Sequence, residues 1–276
     1  MTDALVFLGP ALTICLVIAS IHVYLGMHVL EREVIFVDLS LAQLAALGAT
    51  VAALITGEEE PGWQAHAAAL GFTILGAGVF AFTRRARKHV SQEAIVGIVY
   101  AVASALTVLV VSHSPHGAEH IKDILVGSLL NTSWTNVWHT ALAYLVLGAL
   151  QLALARRFVA ISWRPEEAER EHRNVELWDF GFYVLFGVVI TISVQFAGIL
   201  LVFSYLIVPA VITRLFTRRL VPRLFAGWAV ALAASILGLW ASWTWDFPTG
   251  AAMVAAFGVV LALAAAARAA LPSGVV

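Results

Sequence analysis

The chain has 276 residues, of which 61% are hydrophobic and 12% are charged. An ordinary soluble domain is about 45–50% apolar and about 25% charged, so this composition excludes a water-soluble globule. The 16 basic and 17 acidic residues nearly cancel, and the charge balance does not indicate a nucleic-acid partner. The single cysteine, Cys15, excludes an intramolecular disulfide and a metal cluster built on several thiolates.

Nine apolar runs follow one another along the chain, each near the length of about 20 residues that a helix needs to cross a membrane. They cover residues 5–25, 37–55, 67–82, 94–111, 137–155, 178–194, 198–211, 224–243 and 249–267. The runs are apolar on all sides, whereas the strands of a membrane barrel alternate polar and apolar residues. We therefore predict an all-α, polytopic transmembrane bundle of about eight or nine embedded helices, as a single domain over residues 1–276.

The basic residues between the runs predict the orientation, because lysine and arginine favour the cytoplasmic side of a membrane. Basic residues follow the third run at 84–88, the fifth at 156–157 and the seventh at 214–223. The N-terminus is therefore expected outside and the C-terminus inside. This alternation requires that residues 121–134, which are too short and too charged to span, form a re-entrant or interfacial helix.

Two further stretches between the runs are interpreted from their composition. Residues 195–197 alone separate the sixth and seventh runs, which fits either a tight hairpin or a helix broken inside the protein. Residues 156–176 hold the only extended series of charges in the sequence, and we expect a solvated cytoplasmic linker there.

The loop of residues 112–120 holds three imidazoles and a carboxylate, with the imidazoles on His113, His116 and His120. Such nitrogen and oxygen donors suit zinc, iron or manganese, so the loop is a candidate metal-attracting mouth. It also spells the H-x-x-E-H pattern of a metalloprotease class, although Pro115 interrupts the helix that this mechanism needs. The remaining interpretation is a polar loop that stays hydrated.

Two polar residues, Asp38 and Gln43, lie at the start of the second run. An ionisable group inside a span calls for a partner or a function, so Asp38 either lines an ion route or caps the helix from the cytoplasmic interface. The two side chains are about 140° apart around a straight helix and do not form an obvious chelating pair. In the turn of residues 246–250, Asp246 either forms an acidic outer gate for cations or belongs to an ordinary helix start.

Four blocks of the sequence resemble the permease subunit of metal-ion ABC importers, the type that serves zinc, manganese and iron. They are residues 91–98 (SQEAIVGI), residues 127–134 (GSLL and SW), residues 198–215 (from GILLV through IVPA to TRL) and residues 246–250 (DFPTG). In order and spacing, the resemblance extends from about residue 37 to the end of the chain.

The resemblance implies a bacterial inner-membrane protein that works as a homodimer surrounded by lipid and catalyses no chemistry itself. It implies two cytoplasmic ATP-binding subunits, an extracytosolic metal-binding protein that delivers the ion, and no cofactor held by this chain. The sequence agrees on one point, since it contains no G-x-x-x-x-G-K-[ST] motif, and ATP is therefore expected on a separate subunit. The transported cargo is expected to be a divalent metal ion, with zinc favoured by the imidazoles and manganese or iron as the other candidates.

The resemblance also implies that the segment after Pro209 forms the cytoplasmic coupling helix that docks on the ATPase. The candidate coupling residues are Pro209, Thr213, Arg214, Leu215, Arg218 and Arg219. The family usually carries an aspartate and a downstream histidine at the start of the second span. Here an ungapped alignment places Leu39 and Gln43 at those positions, with Asp38 one residue away.

The candidate ion route consists of Asp38, Gln43, His113, His116, His120 and Asp246. Two alternatives accompany this interpretation. A related importer of metal chelates, such as a siderophore, haem or cobalamin, requires a wider apolar passage. A membrane-bound metalloenzyme would be built on the H-x-x-E-H loop instead.

Overall fold

The structure is a computed structural model that describes residues 2–57, 62–83, 90–112, 125–127, 129–171 and 174–271. These residues form ten α-helices, one 3-10 helix at Leu129–Asn131 and no strand, which confirms the all-α class. The helices are α1 (Thr2–Glu31), α2 (Val37–Thr56), α3 (Trp63–Phe82), α4 (Gln92–Val111), α5 (Trp134–Ala153), α6 (Ala155–Trp163), α7 (Pro165–Glu171), α8 (Val175–Phe216), α9 (Leu220–Trp245) and α10 (Thr249–Ala270).

Seven of these helices are long and apolar enough to cross a membrane, namely α1 to α4 and α8 to α10. An eighth span results if α5 and α6, which meet at a bend of 67°, are counted together. Eight of the nine predicted runs fall within single helices, and the fifth, residues 137–155, crosses from α5 to α6 at Leu154. The count of spans is lower because the sixth and seventh runs share α8 and the fifth lies in the bent pair. The prediction of a polytopic membrane protein is confirmed.

The helix α8 has 42 residues and contains one non-helical residue, Gly198, with φ 69° and ψ 165°. Residues 195–197, predicted as the separation between two runs, are helical, so the break falls on a single residue. This backbone conformation is essentially restricted to glycine, because a Cβ atom would clash with the neighbouring peptide. Gly127, also at positive φ, lies against the backbone of Ala197 and Gly198 so closely that a Cβ atom would not fit.

The expectation of a solvated linker at residues 156–176 is wrong. Two helices, α6 and α7, occupy most of this stretch, and Phe158, Ile161 and Ala168 are buried. Ile161 and Ala168 form a small apolar cluster with Val175. Phe158 and Ile161 are three residues apart on α6, whereas Ala168 lies on α7, beyond a break at Arg164. The buried residues therefore do not follow one helical period, and the many charges around them dominate the sequence pattern.

The chain divides into two compact units. The first unit comprises residues 1–30, 126–146 and 196–276, and the second comprises residues 31–125 and 147–195. In the first unit, the rings of Tyr205 and Phe257 meet edge to face at 4.9 Å, and the Tyr205 hydroxyl hydrogen-bonds to Ser235. Gly26 of α1 lies directly against the backbone of Leu206. The single-domain prediction stays a prediction.

In the second unit, α2 packs against both α3 and α4. Gly48 of α2 lies against the backbone of Ala68 in α3, at a distance that leaves no room for a side chain. Ser91 begins α4 as its N-cap and accepts a hydrogen bond from the Ala94 amide at 3.2 Å. The result is that the N-terminal ends of α2 and α4 are fixed against each other.

Many hydroxyl side chains in the spans donate to the carbonyl group four residues earlier in their own helix. Examples are Thr13 to Gly9 at 2.8 Å, Thr107 to Ala103 at 2.9 Å and Ser204 to Leu200 at 2.9 Å. These bonds satisfy the hydroxyl groups locally, inside helices that otherwise carry few polar atoms.

Candidate functional site

Asp38 is the second residue of α2, and its side chain is only 1% exposed. Neither carboxylate oxygen has a hydrogen-bond partner in the described part of the chain. The N-cap position of α2 is held by Phe36, and no side chain forms a capping hydrogen bond there. Asp38 therefore does not close the end of α2 as a hydrogen-bonded cap, and its carboxylate is available to another group.

Glu93, at the second position of α4, lies beside the start of α2. The backbone amide of Phe36 donates to Glu93 Oε1 at 3.2 Å, and Glu93 Oε2 is buried without a hydrogen bond. Ser40 donates to the carbonyl of Val96 at 2.8 Å, so contacts with α4 are made on both sides of Asp38. The two carboxylates are close enough to repel each other electrostatically.

Glu93 is not among the site residues predicted from the sequence. The signal was present, since Glu93, like Asp38, is a carboxylate at the beginning of an apolar run and immediately follows a segment with a helix-starting serine. The sequence does not show that the N-terminal ends of α2 and α4 lie together, because this contact is formed only in the tertiary structure.

Gln43 is 7% exposed and lies five residues after Asp38 in the same helix. Five residues correspond to about 140° of rotation and roughly 7.5 Å of rise, so the two side chains point to different sides of α2. The structure therefore brings Asp38 together with Glu93 and not with Gln43.

The predicted outer residues fall in two groups. His113, His116 and His120 lie outside the described residues. Asp246 is exposed and ends α9 in a left-handed conformation with φ 53°. Ser242 donates to the carbonyl of Phe247 at 2.8 Å and hydrogen-bonds to Thr249 at 2.8 Å, which fixes the turn that carries Asp246.

The predicted coupling residues lie around the end of α8. Pro209 is inside the helix, and the Thr213 hydroxyl donates to its carbonyl at 2.8 Å. The segment after Pro209 is not a separate helix, because α8 continues to Phe216 and three residues then lead to Leu220. The side chains of Arg214, Arg218 and Arg219 are exposed.

Leu215 is half-buried, and its carbonyl accepts a hydrogen bond from Arg268 Nε at 3.0 Å. Beside it, Phe216 is 39% exposed. The end of α8 thus presents apolar side chains next to a group of exposed arginines, on a backbone held by α10.

Within the described ranges, no three histidine, cysteine, aspartate or glutamate side chains are grouped so as to hold a metal ion. The local donor set at the start of α2 therefore consists of two carboxylates, from Asp38 and Glu93. Such oxygen donors attract hard divalent cations.

Among known proteins, the chain is similar to several membrane transport proteins. It is 25% identical over 260 residues to the high-affinity zinc uptake system membrane protein ZnuB of Haemophilus influenzae, covering 93% of this chain and 96% of that protein. It is 26% identical over 168 residues to the manganese transport system membrane protein MntC of Listeria monocytogenes, and this match spans 60% of the relative's length.

A solved structure of PsaBC from Streptococcus pneumoniae in complex with Fab has a similar fold, with a TM-score of 0.76 and 18% identity over 95% of this chain and 93% of that chain. The model of the ABC 3 transport family matches residues 4–268, almost the whole sequence. The resemblance stated from the four sequence blocks is confirmed at this level, and the chain belongs to the ABC 3 transport family.

Proposed function

We propose that this chain is the inner-membrane permease of an ATP-driven importer for a divalent transition-metal ion. The observation that carries the proposal is the family match over residues 4–268, supported by the nearly full-length similarity to a zinc uptake permease. The chain itself contains no phosphate-loop motif, so ATP hydrolysis is assigned to a separate cytoplasmic subunit.

The buried carboxylate of Asp38 supports an ion route through this chain. An ionised group in a span is costly unless it meets an opposite charge, and a passing metal ion supplies that charge. The route enters at the outer side, where His113, His116, His120 and Asp246 raise the local concentration of cations, and leaves past Asp38 and Gln43.

The assembly requires further protein chains. An extracytosolic metal-binding protein delivers the ion, two permease copies enclose the passage, and the ATPase contacts the end of α8 around Leu215 and Arg218. Population shifts between outward-open and inward-open states then move the ion.

Within the class of divalent transition metals, the imidazoles of residues 113–120 favour zinc. Manganese and iron are the other candidates, and one of the similar permeases is named for manganese transport. Comparing the uptake of zinc, manganese and iron by the same assembly identifies the transported metal.

The test is uptake by the complete assembly. The permease is expressed with an ATPase and a metal-binding protein from the same organism, in cells that lack their own zinc and manganese importers. Labelled zinc, manganese and iron are then supplied. We expect ATP-dependent uptake of at least one ion, lost when the phosphate-loop lysine of the ATPase is replaced. An assembled complex that imports a metal chelate and none of the free ions would overturn the proposal.

A further inference from the structure

The N-terminal ends of α2 and α4 are joined by two hydrogen bonds that bracket Asp38. Two residues before Asp38, the Phe36 amide donates to Glu93 Oε1 at 3.2 Å. Two residues after it, the Ser40 hydroxyl donates to the Val96 carbonyl at 2.8 Å. Asp38 is therefore held against the first turn of α4, where Glu93 lies.

Three carboxylate oxygens at this junction are buried without a hydrogen bond, both of Asp38 and Oε2 of Glu93. Asp38 is 1% exposed, so water does not readily replace the missing partners. In the described part of the chain, neither carboxylate forms an ion pair. Two neighbouring carboxyl groups with unused oxygens form an incomplete arrangement that a cation or a proton completes.

Both carboxylates occupy the second position of a helix, after Phe36 in α2 and after Ser91 in α4. The N-terminus of a helix carries a partial positive charge, which favours the ionised form of an acid in the first turn. The two helix ends thus offset part of the repulsion between the two carboxylates.

We propose that Asp38 and Glu93 together form a divalent-cation site at the cytoplasmic end of the permease, where the transported ion is released. The cytoplasmic side follows from the arginines and lysine at residues 84–88, which precede α4. The identity of the cargo rests on the proposed function, whereas the site itself rests on the geometry of the two carboxylates.

The chemistry of the pair fits release rather than selection. Carboxylates bind hard divalent ions through charge, and the described surroundings add no third histidine, cysteine or acidic ligand. A site of this kind holds zinc less tightly than an imidazole site and discriminates little between metals, and weak binding allows the ion to leave. Selection between metals is then made elsewhere in the transporter.

The direct test is Mn²⁺ binding to the purified full-length permease in lipid nanodiscs, followed by the loss of the electron paramagnetic resonance signal of free Mn²⁺. The variants are Glu93→Gln and Asp38→Asn, each of which removes a charge at nearly constant shape. Glu93→Gln keeps an oxygen that can accept the bond from Phe36, so folding is expected to persist. Glu166→Gln, which removes an exposed carboxylate on α7, is the matched control.

We expect each of the two site variants to weaken Mn²⁺ binding about tenfold or more, because one of two ligand charges is lost. Glu166→Gln should bind as the wild type does, and Glu93→Asp, which restores the charge, should recover part of the affinity. Zn²⁺ should compete with Mn²⁺ for the same site. Unchanged Mn²⁺ binding in folded Glu93→Gln, or absence of binding in the wild type because the pair holds a proton instead, would overturn the proposal.

Uptake by the complete assembly separates this inference from the proposed function. If the wild-type assembly imports metal and Glu93→Gln imports and binds it equally well, the pair is not a site and the transport function stands. If the wild-type assembly imports no metal, the transport function fails, whatever the purified chain binds.

Discussion

The guanidinium of Arg32 donates a hydrogen bond of 2.7 Å to the carboxylate of Asp179, 147 residues later in the chain. Both side chains are 3% exposed. The Nε of Arg32 donates to Ser162 at 2.8 Å, and the guanidinium lies 4.0 Å from the ring centroid of Phe182. One side chain between α1 and α2 therefore connects α6 to the beginning of α8.

This ion pair predicts a large loss of stability when one partner is neutralised. Asp179→Asn leaves the buried charge of Arg32 without its counter-ion, which typically costs about 3–5 kcal/mol. The exposed pair between Arg164 and Glu167, with N and O atoms 3.4 Å apart, gives the contrast, and Glu167→Gln should cost at most about 1 kcal/mol. Unfolding of the purified permease in detergent measures the loss of stability in both variants. Equal losses would contradict a stabilising role of the buried ion pair.

The close contact at Gly26 predicts that a single methyl group disturbs the first unit. In Gly26→Ala the new Cβ atom would meet the carbonyl oxygen of Leu206, a backbone atom that cannot rotate away. We expect destabilisation of about 1–3 kcal/mol, the usual range for overpacking. The control is Gly71→Ala, where the Cβ atom enters open space and alanine favours the helix. The yield of folded protein in size-exclusion chromatography should fall for Gly26→Ala alone.

The orientation of the chain is tested by single cysteines at two exposed positions, Asp246 and Arg218. The background carries Cys15→Ser, which removes the only native cysteine. The basic loops predict that an impermeant thiol reagent added to intact spheroplasts labels Asp246→Cys and does not label Arg218→Cys. After membrane disruption both should react, and the reverse pattern in intact cells would exclude this topology.

The end of α8 is expected to contact the ATPase. Leu215→Asp places a charge among the apolar side chains that would fill a groove of the partner, so co-purification with the ATPase should be lost while membrane insertion persists. Leu177→Asp, an exposed position near the start of α8, is the control. If both variants co-purify normally, the arginines around Leu215 serve only as membrane anchors.

Gln43→His introduces an imidazole where this chain has an amide. Imidazole is a much better ligand for zinc than a neutral amide, so we expect slower release of zinc or a shift of preference toward zinc relative to manganese. Initial uptake rates of the two ions, measured with the complete assembly, give the ratio. A ratio unchanged from wild type would place Gln43 away from the ion.

The helical fold is predictable because span length and apolar content depend on local sequence alone. Eight of the nine apolar runs lie within single helices. The number of spans differs because α8 contains two runs with a break only at Gly198, and because the fifth run bends between α5 and α6. The helices α6 and α7 were not predicted because the six charged residues from Glu166 to Arg173 dominate the composition and the break at Arg164 interrupts any helical period.

The site was predictable only in part. Asp38 stands out in the sequence as a carboxylate in an apolar run, and its burial agrees with that signal. Its neighbour Glu93 is 55 residues away in the chain, and no periodicity connects the two positions. The ion pair of Arg32 with Asp179 could not be predicted for the same reason. In the sequence, each of the two residues is only a charge near the end of an apolar run.

The hydroxyl groups of Thr13, Thr107 and Ser204, which bond to carbonyls of their own helices, have a consequence for assembly. A helix whose polar side chains are already satisfied can enter the bilayer before it meets its neighbours, since nothing polar remains exposed to lipid at these positions. Association then depends on the fit of small residues such as Gly26 and Gly48 against neighbouring backbone. Insertion of the helices into the bilayer and their association with one another therefore depend on different residues.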